Sequence, residues 1–337
     1  MTRKGLTGLV GLGLIVPALA LGWLWRDYQR FLHTPMGNLE HAVRFEVAPG
    51  NGLITVAREL ERQGHIDHPR YLVWYARGQG RADSIVAGEY LLAPGMTPIA
   101  LLDKITAGDV VRYTVTIPEG WTFRQLLDAL RSEEKLQHTV NGLDHSTIMA
   151  ALGYPGESPE GRFFPNTYQF VAGTTDVALL RHAHQAMQDQ LEKAWAERAP
   201  DLPLTTPYQA LILASIIEKE TAIPEERSRI AGVFIRRLQR NMRLQADPTV
   251  IYGVGLDFSG RLRKRDLLSD TPYNTYTRAG LPPTPIALPG AGALRAAVNP
   301  EPGNEIYFVA RGDGSHYFSA SLDDHQAAVR KYQLGLK

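Results

Sequence analysis

Cysteine is absent from the 337 residues of this chain. Its absence excludes thiolate catalysis, cysteine-ligated zinc, disulfide bonds and a lipid-modified N-terminal cysteine. A surplus of charge of one sign is also lacking, since 36 basic residues face 35 acidic ones. There is therefore no general electrostatic reason to expect a nucleic-acid partner. The histidines lack a metal-site motif such as H-E-x-x-H, so we expect neither a metal nor another cofactor.

A long apolar run occupies residues 5–25. As a helix it would be about 30 Å long, roughly the thickness of a bilayer core, which predicts a single transmembrane helix. Residues 18–20 resemble a signal cleavage site, so a cleaved signal is the alternative, but the run continues into Trp23 and Trp25, which suit a membrane interface. With the basic tail 1–4 in the cytoplasm, the rest is expected in the periplasm, anchored to the cytoplasmic (inner) membrane.

Residues 26–43 are mixed and aperiodic, and they predict a linker. Residues 44–110 show the order strand, helix, helix, strand, helix, which predicts a small α+β module. This order is found in the glycan-binding LysM type, and a packing or spacer module is the open alternative. Residues 111–337 are predicted to form a larger, mixed α+β domain, so the fold class of the whole is α+β.

The stretch ILASIIEKET at residues 212–221 is the most informative one. Thr206 and Pro207 form an N-cap pattern with proline at the first helical position, which predicts a helix beginning at Pro207. Pro224 disfavours helix at the residue before it, so the helix should end near Thr221. Because nearly every side chain before the two glutamates is apolar or small, we expect this helix to be buried.

The two glutamates of this stretch, Glu218 and Glu220, differ in the faces they share. The positions three and four residues before Glu220 hold isoleucines, whereas those before Glu218 hold Ser215 and Ala214. A cleft is easier to build on the Glu218 face, so Glu220 is interpreted as structural. The negative end of the helix dipole and partial burial would raise the pKa of Glu218, as a general acid near neutral pH requires. A solvated helix end is the alternative.

Polar and aromatic side chains are concentrated downstream, in segments 242–255 and 269–290. Tyrosines for stacking and polar groups for bonding hydroxyls are what a carbohydrate groove uses. The predicted substrate-binding residues are Gln245, Asp247, Thr249, Tyr252, Tyr273, Asn274 and Tyr276. Further on, His316 follows a GDG turn on a predicted hairpin, and we interpret it as structural or groove-lining rather than catalytic.

Five stretches resemble the motifs of one known family in order and spacing. They are LASIIEKET, RLQADPTVIYG, YNTYTRAGLPPTPIALPG, AAVNP and YFVARGDGSHYFS. The chain from about Arg44 to its end resembles the YceG-like family of endolytic murein transglycosylases. The resemblance implies cleavage of the β-1,4 bond between N-acetylmuramic acid and N-acetylglucosamine within peptidoglycan strands, leaving a 1,6-anhydro end. It also implies that Glu218 is the catalytic acid and base, and that the protein ends nascent strands beside peptidoglycan synthases.

Two other functions stay open on the residues alone. A muramidase-type hydrolase would need a second carboxylate, for which Glu220 or Asp247 is available. A non-catalytic wall-binding scaffold would use only the LysM-like module and the aromatic loops. Within the lytic mechanism, Glu220 is also the alternative acid, because the register at a helix end is easily misjudged.

Overall fold

A computed structural model describes residues 3–37 and 39–334 of the chain, with side chains from residue 17 onward. The fold is mixed α+β, as predicted, and the described strands form three two-stranded sheets. The chain divides into two compact units, Met1–Tyr113 and Thr114–Lys337.

The first unit has the order strand, helix, helix, strand, helix after a long N-terminal helix, in agreement with the sequence prediction for residues 44–110. Its elements are α1 (Arg3–His33), β1 (Val43–Val47), α2 (Leu53–Arg62), α3 (Pro69–Gly78), β2 (Gly88–Leu92) and α4 (Pro98–Ala107). Strands β1 and β2 pair antiparallel with Phe45 opposite Tyr90. Both rings are fully buried against the inner faces of the helices, so the two strands and three short helices share one core.

Helix α1 runs to His33, so residues 26–33 are helical where the sequence predicted an irregular linker. The reason is tertiary packing that the aperiodic pattern did not reveal. Leu32 is only 2% exposed. The rings of Tyr28 and Phe31 lie edge-on to the ring of Tyr71 on α3, with centroid distances of 5.4 and 5.6 Å.

The transmembrane prediction for residues 5–25 falls largely on residues 5–16, whose side chains lie outside the described part. Within the described residues, no helix has the length and apolar character needed to cross a membrane. Trp23 and Trp25 are described and are well exposed, at 69% and 63%.

The second unit is mainly helical. Its strands and helices are β3 (Arg112–Thr116), which begins just before the unit, α5 (Phe123–Ser132), α6 (His145–Leu152), β4 (Thr167–Val171), α7 (Asp176–Ala196), α8 (Pro207–Glu220), α9 (Arg227–Gln239), α10 (Asp247–Val254), α11 (Lys264–Leu268), α12 (Ala291–Val298), β5 (Tyr307–Ala310), β6 (His316–Ser319) and α13 (Leu322–Tyr332). Strand β3 pairs with β4, and β5 pairs antiparallel with β6.

Helix α8 is the centre of this unit. The Thr206 side chain accepts a hydrogen bond from the Gln209 N–H, and Pro207 is the first helical residue, as predicted. Every side chain at positions 210–217 is buried, because α8 packs against α7, α9, α10 and α12. The helix ends at Glu220, and Thr221 is extended, so the last turn carries both glutamates.

The small face of α8 is filled rather than open. The Ser215 hydroxyl donates to the Ile212 carbonyl at 2.7 Å and accepts from the Ile286 N–H at 3.0 Å. The loop leading into α12 therefore lies directly on the face that the sequence analysis assigned to a cleft. Small side chains here permit close packing of backbone against helix.

Candidate active site

A cavity of about 570 Å³ lies at the C-terminal end of α8, and Glu220 lines it. The cavity walls come from α8, α9, the turn before α10, the β5–β6 hairpin and α13. The polar and aromatic residues on these walls are Glu220, Arg237, Gln245, Asp247, Tyr276, Tyr307, Phe308, His316, His325 and Gln333. Three of the predicted substrate-binding residues, Gln245, Asp247 and Tyr276, are thus brought together with Glu220, and Glu218 is not among the lining residues.

The carboxyl group of Glu220 is free for a ligand. None of the described residues donates a hydrogen bond to it, although it faces polar neighbours in the cavity. Burial is the main cause that raises the pKa of Glu220 to about 8, and the negative charge of Asp247 raises it further. The positive charge of Arg237 acts in the opposite direction. At neutral pH this group holds its proton, which is the state that a general acid needs.

Asp247 and Tyr276 form a hydrogen-bonded pair beside Glu220. The Tyr276 hydroxyl donates to Asp247 Oδ1 at 2.5 Å. Burial and the bond to Asp247 raise the pKa of Tyr276, so the phenol stays protonated and keeps donating. Gln245 stands on the same wall with φ at 51°, in the left-handed region that non-glycine residues seldom occupy. Such backbone strain is often found where a side chain is held for function.

Arg237 connects this cavity to the rest of the unit. Its guanidinium is buried and donates to the carbonyls of Ile306, at 2.6 Å, and Leu244, at 2.7 Å. It also lies 5.3 Å from the centre of the Tyr307 ring. Arg237 therefore fixes the strand start of the β5–β6 hairpin and the turn before α10, which together carry much of the cavity wall.

The carboxylate of Glu218 lies outside the lining of this cavity, and both of its oxygen atoms have polar partners. Its carboxylate accepts the Gly290 N–H at the start of α12, at 3.0 Å, and lies 3.5 Å from Arg227 Nη2. Burial raises the pKa of Glu218, the Gly290 N–H lowers it, and the nearby Glu119 raises it. A β-carbon on Gly290 would come within 1.7 Å of Glu119 Oε1, so this junction is closely packed. Glu218, the predicted catalytic residue, is thus a largely buried carboxyl with a raised pKa at the junction of α8 and α12.

The other predicted substrate-binding residues are used inside the fold. Thr249 is fully buried and bonds Ala246 and Thr275. Asn274 is 1% exposed, and its amide group donates to three carbonyls of the segment 266–269. None of the four residues Thr249, Tyr252, Tyr273 and Asn274 lines the Glu220 cavity.

Tyr252 and Tyr273 belong to a network around a buried acid, Glu160. The Tyr252 hydroxyl donates to Glu160 Oε2 at 3.0 Å, and the Phe123 N–H donates to Oε1 at 2.9 Å. The rings of Tyr252 and Tyr273 meet edge-on at 4.8 Å. Burial raises the pKa of Glu160 to about 7, against the lowering effect of its hydrogen bonds. Glu160 thereby joins the start of α5 to α10.

We expect the stability of Glu160→Gln relative to wild type to be higher at pH 8 than at pH 5. Because the folded-state pKa of Glu160 is raised above its unfolded value, its stabilising contribution is full below about pH 4.5 and is lost as the pH rises through 7. The amide keeps both partners without a charge, so the stability difference between variant and wild type should grow by about 2 to 3 kcal/mol between pH 5 and pH 8. Urea unfolding at the two pH values measures it. The exposed Glu192→Gln is the control, and an equal effect of Glu160→Gln at both pH values would contradict the prediction.

Sequence reasoning missed several cavity residues. The burial of Arg237 could have been predicted, because it follows Phe234 by three positions and therefore lies on the same buried face of α9. Tyr307 and His325, which stack at 4.9 Å, had none, since they lie on separate elements that only the tertiary fold brings together. His316 does line the cavity, in agreement with its groove-lining interpretation.

Comparison with known proteins places this arrangement in a family. A family model described as the YceG-like family matches residues 45–331. An endolytic murein transglycosylase of Bacillus subtilis (strain 168) is 30% identical over 307 residues, which is 86% of this chain and 84% of that protein. An endolytic murein transglycosylase of Streptococcus pneumoniae serotype 2 (strain D39) is 29% identical over 88% of this chain and 59% of that longer protein.

A solved structure supports the same relationship. The 2.6 Å crystal structure of a YceG-like protein from Listeria monocytogenes is 28% identical in sequence and superimposes with a TM-score of 0.52. The match covers 85% of this chain and 99% of that one. The chain belongs to the YceG-like family.

Proposed function

We propose that this protein is an endolytic murein transglycosylase, a lyase that cleaves glycan strands of peptidoglycan, and that Glu218 is its acid and base, with Glu220 as the alternative acid. The observation that carries the proposal is the last turn of α8, where burial raises the pKa of Glu218 and where Glu220, two residues on, lines a cavity of about 570 Å³. Membership of the YceG-like family and relatives named endolytic murein transglycosylase support the activity. A non-catalytic scaffold would have no need of such an acid.

The proposed reaction needs one carboxyl group. Glu218 donates its proton to the glycosidic oxygen as the bond from that oxygen to C1 of N-acetylmuramic acid breaks. The 6-hydroxyl oxygen of the same sugar forms the new bond to C1, and its proton passes to the Glu218 carboxylate, which restores the acid. Water is not consumed, and the product has a 1,6-anhydro end. Burial and the nearby negative charge of Glu119 favour the protonated form of Glu218.

A muramidase-type hydrolase is the second candidate, and one observation favours it. Asp247 lines the same cavity as Glu220 and interacts with it electrostatically, so two carboxylates are present, as in most glycoside hydrolases. In that case Asp247 would activate a water molecule or attack C1, and the product would carry a reducing end.

The ends of the products decide between these functions. Purified glycan strands are digested with the full chain in detergent, and the fragments are analysed by mass spectrometry. We expect fragments that carry 1,6-anhydro ends and result from cleavage within the strand, as an endolytic enzyme produces. Reducing ends would establish the hydrolase, and intact strands would support a non-catalytic role.

The pH dependence of cleavage provides a second test. Because Glu218 must be protonated to donate, we expect kcat/KM to fall as the pH rises through the raised pKa of Glu218. Glu119→Gln removes a negative charge that raises the pKa of Glu218, so the falling limb should move to lower pH. The profile is measured from initial cleavage rates between pH 4 and 10. A limb that stays in place in Glu119→Gln would contradict the assignment of Glu218.

We also propose that residues 5–25 anchor the protein in the cytoplasmic membrane, with the N-terminus in the cytoplasm and the remainder in the periplasm. The apolar run and the exposed Trp23 and Trp25 support this anchor. The LysM-like module at 44–110 would hold glycan near the membrane, where peptidoglycan synthases extend new strands. Recovery of the full chain in the soluble fraction after cell lysis would count against the anchor.

A further inference from the structure

The imidazole of His316, at the start of β6, is held in one orientation by Glu226. Glu226 Oε1 accepts the His316 backbone N–H at 2.9 Å, and Oε2 lies 2.7 Å from Nδ1. The side chains of both residues are largely buried, with exposed fractions of 11% for His316 and 15% for Glu226. On the other side, the Phe308 ring meets the imidazole edge-on at 5.4 Å. The ring therefore has little freedom to turn.

This arrangement sets the tautomer of His316. An ionised carboxylate only accepts hydrogen bonds, so Nδ1 carries the proton and donates it to Glu226. In the neutral imidazole, Nε2 is then left as an acceptor. None of the described residues bonds Nε2, and it is not among the sealed, unpaired polar atoms of the fold. Since His316 lines the same cavity as Glu220, this acceptor is available to whatever fills that cavity.

We propose that His316 is a substrate-binding residue, whose Nε2 accepts a hydrogen bond from a sugar hydroxyl of the glycan strand and orients that ring relative to the last turn of α8, which carries Glu218 and Glu220. The inference rests on the proposed function, because it takes the cavity to hold glycan. Sugar hydroxyls are the abundant donors of such a strand. Glu226 acts through His316, as a positioning residue that keeps the proton on Nδ1.

Two variants remove the proposed acceptor of His316 in different ways. His316→Phe keeps the ring shape and removes the acceptor, so we expect KM for glycan strands to rise about tenfold while kcat changes little. Glu226→Gln keeps the oxygen that accepts the His316 backbone N–H but turns an amide NH₂ toward Nδ1. The proton then moves to Nε2, and KM should rise similarly although His316 is intact. The KM of the double variant should be no higher than that of His316→Phe, because both substitutions remove the same hydrogen bond to the substrate.

The controls separate binding from folding and from turnover. His316→Gln places an amide oxygen near the former Nε2 and should recover much of the affinity, and Tyr317→Phe, next in β6 but outside the cavity lining, should match wild type. Binding of uncleaved strands to Glu218→Gln, with and without His316→Phe, gives the same tenfold ratio without turnover. An unchanged KM in His316→Phe or in Glu226→Gln would overturn this inference alone. A wild-type protein that neither cleaves nor binds glycan strands would overturn the proposed function itself.

Discussion

Glu218→Gln should reduce the rate of glycan-strand cleavage by about a thousandfold. The amide has nearly the same shape as the protonated acid and can still accept the Gly290 N–H, so the local fold should be kept, but it cannot transfer a proton to the leaving oxygen or take one back. General acid and base catalysis by one group typically contributes a factor of this size. Initial rates of anhydro-end formation, measured by mass spectrometry on purified strands, give the comparison.

Glu220→Gln is the matched control, two positions later on the same helix. None of the described residues donates a hydrogen bond to the Glu220 carboxyl, so the amide breaks no hydrogen bond of the fold. We expect cleavage to stay within about tenfold of wild type, because Glu220 transfers no proton in the proposed reaction. The opposite result, an active Glu218→Gln and an inactive Glu220→Gln, would identify Glu220 as the acid and refute the assignment of Glu218.

Arg237→Ala should lower the free energy of unfolding by about 3 to 5 kcal/mol. The substitution leaves the buried carbonyls of Ile306 and Leu244 without their donor and removes the packing on Tyr307. Each buried acceptor left unpaired costs about 1 to 3 kcal/mol, and the lost side chain adds to this. Urea unfolding of the full chain, monitored for the transition of the second unit, measures the loss.

Arg240→Ala, at the exposed end of the same helix, is the control for Arg237→Ala. Arg240 has its side chain in solvent, and we expect a change within about 0.5 kcal/mol. A loss of stability no greater than that of Arg240→Ala would show that the bonds of Arg237 do not hold the hairpin.

Local rules predicted the helix that carries the acid. The N-cap at Thr206 and the proline at position 207 place its start, and the apolar run before Glu218 accounts for its burial. Such features depend on residues within one turn of each other, so a sequence reveals them. The same reasoning failed for residues 26–33, where helix is stabilised by rings that pack on the distant Tyr71.

The surroundings of the two glutamates depend on distant contacts and could not be predicted from the helix alone. Ser215 and Ala214 suggested space beside Glu218, but the loop before α12 packs on this face, with Ile286 bonded to Ser215. The isoleucines on the Glu220 side do not close off that residue, because Glu220 lines a cavity together with residues of α13 and the hairpin. Small side chains on one face of a helix are compatible both with a closely packed neighbour and with an open cleft. Only the elements that pack against that face decide which of the two is present.

Polar residues in an irregular segment raise a similar ambiguity. Asn274 and Tyr276 come from the same motif, yet Asn274 bonds carbonyls of its own loop while Tyr276 faces the cavity. Both are hydrogen-bonding side chains within a proline-rich stretch, and composition gives no means of telling a residue that shapes a loop from one that meets a ligand. The difference depends on which buried carbonyls need donors, and this is decided by the path of the backbone.

Helix α1 sets a fixed spacing between the proposed anchor and the module at residues 44–110. Residues 26–33 add about 12 Å of rigid helix, whereas the same residues as a flexible chain would allow a wide range of separations. The contact of Tyr28 and Phe31 with Tyr71 also prevents rotation of this module about the helix. With such a rigid connection, shortening or lengthening α1 by part of a turn would rotate the module about the helix axis, by about 100° for each residue.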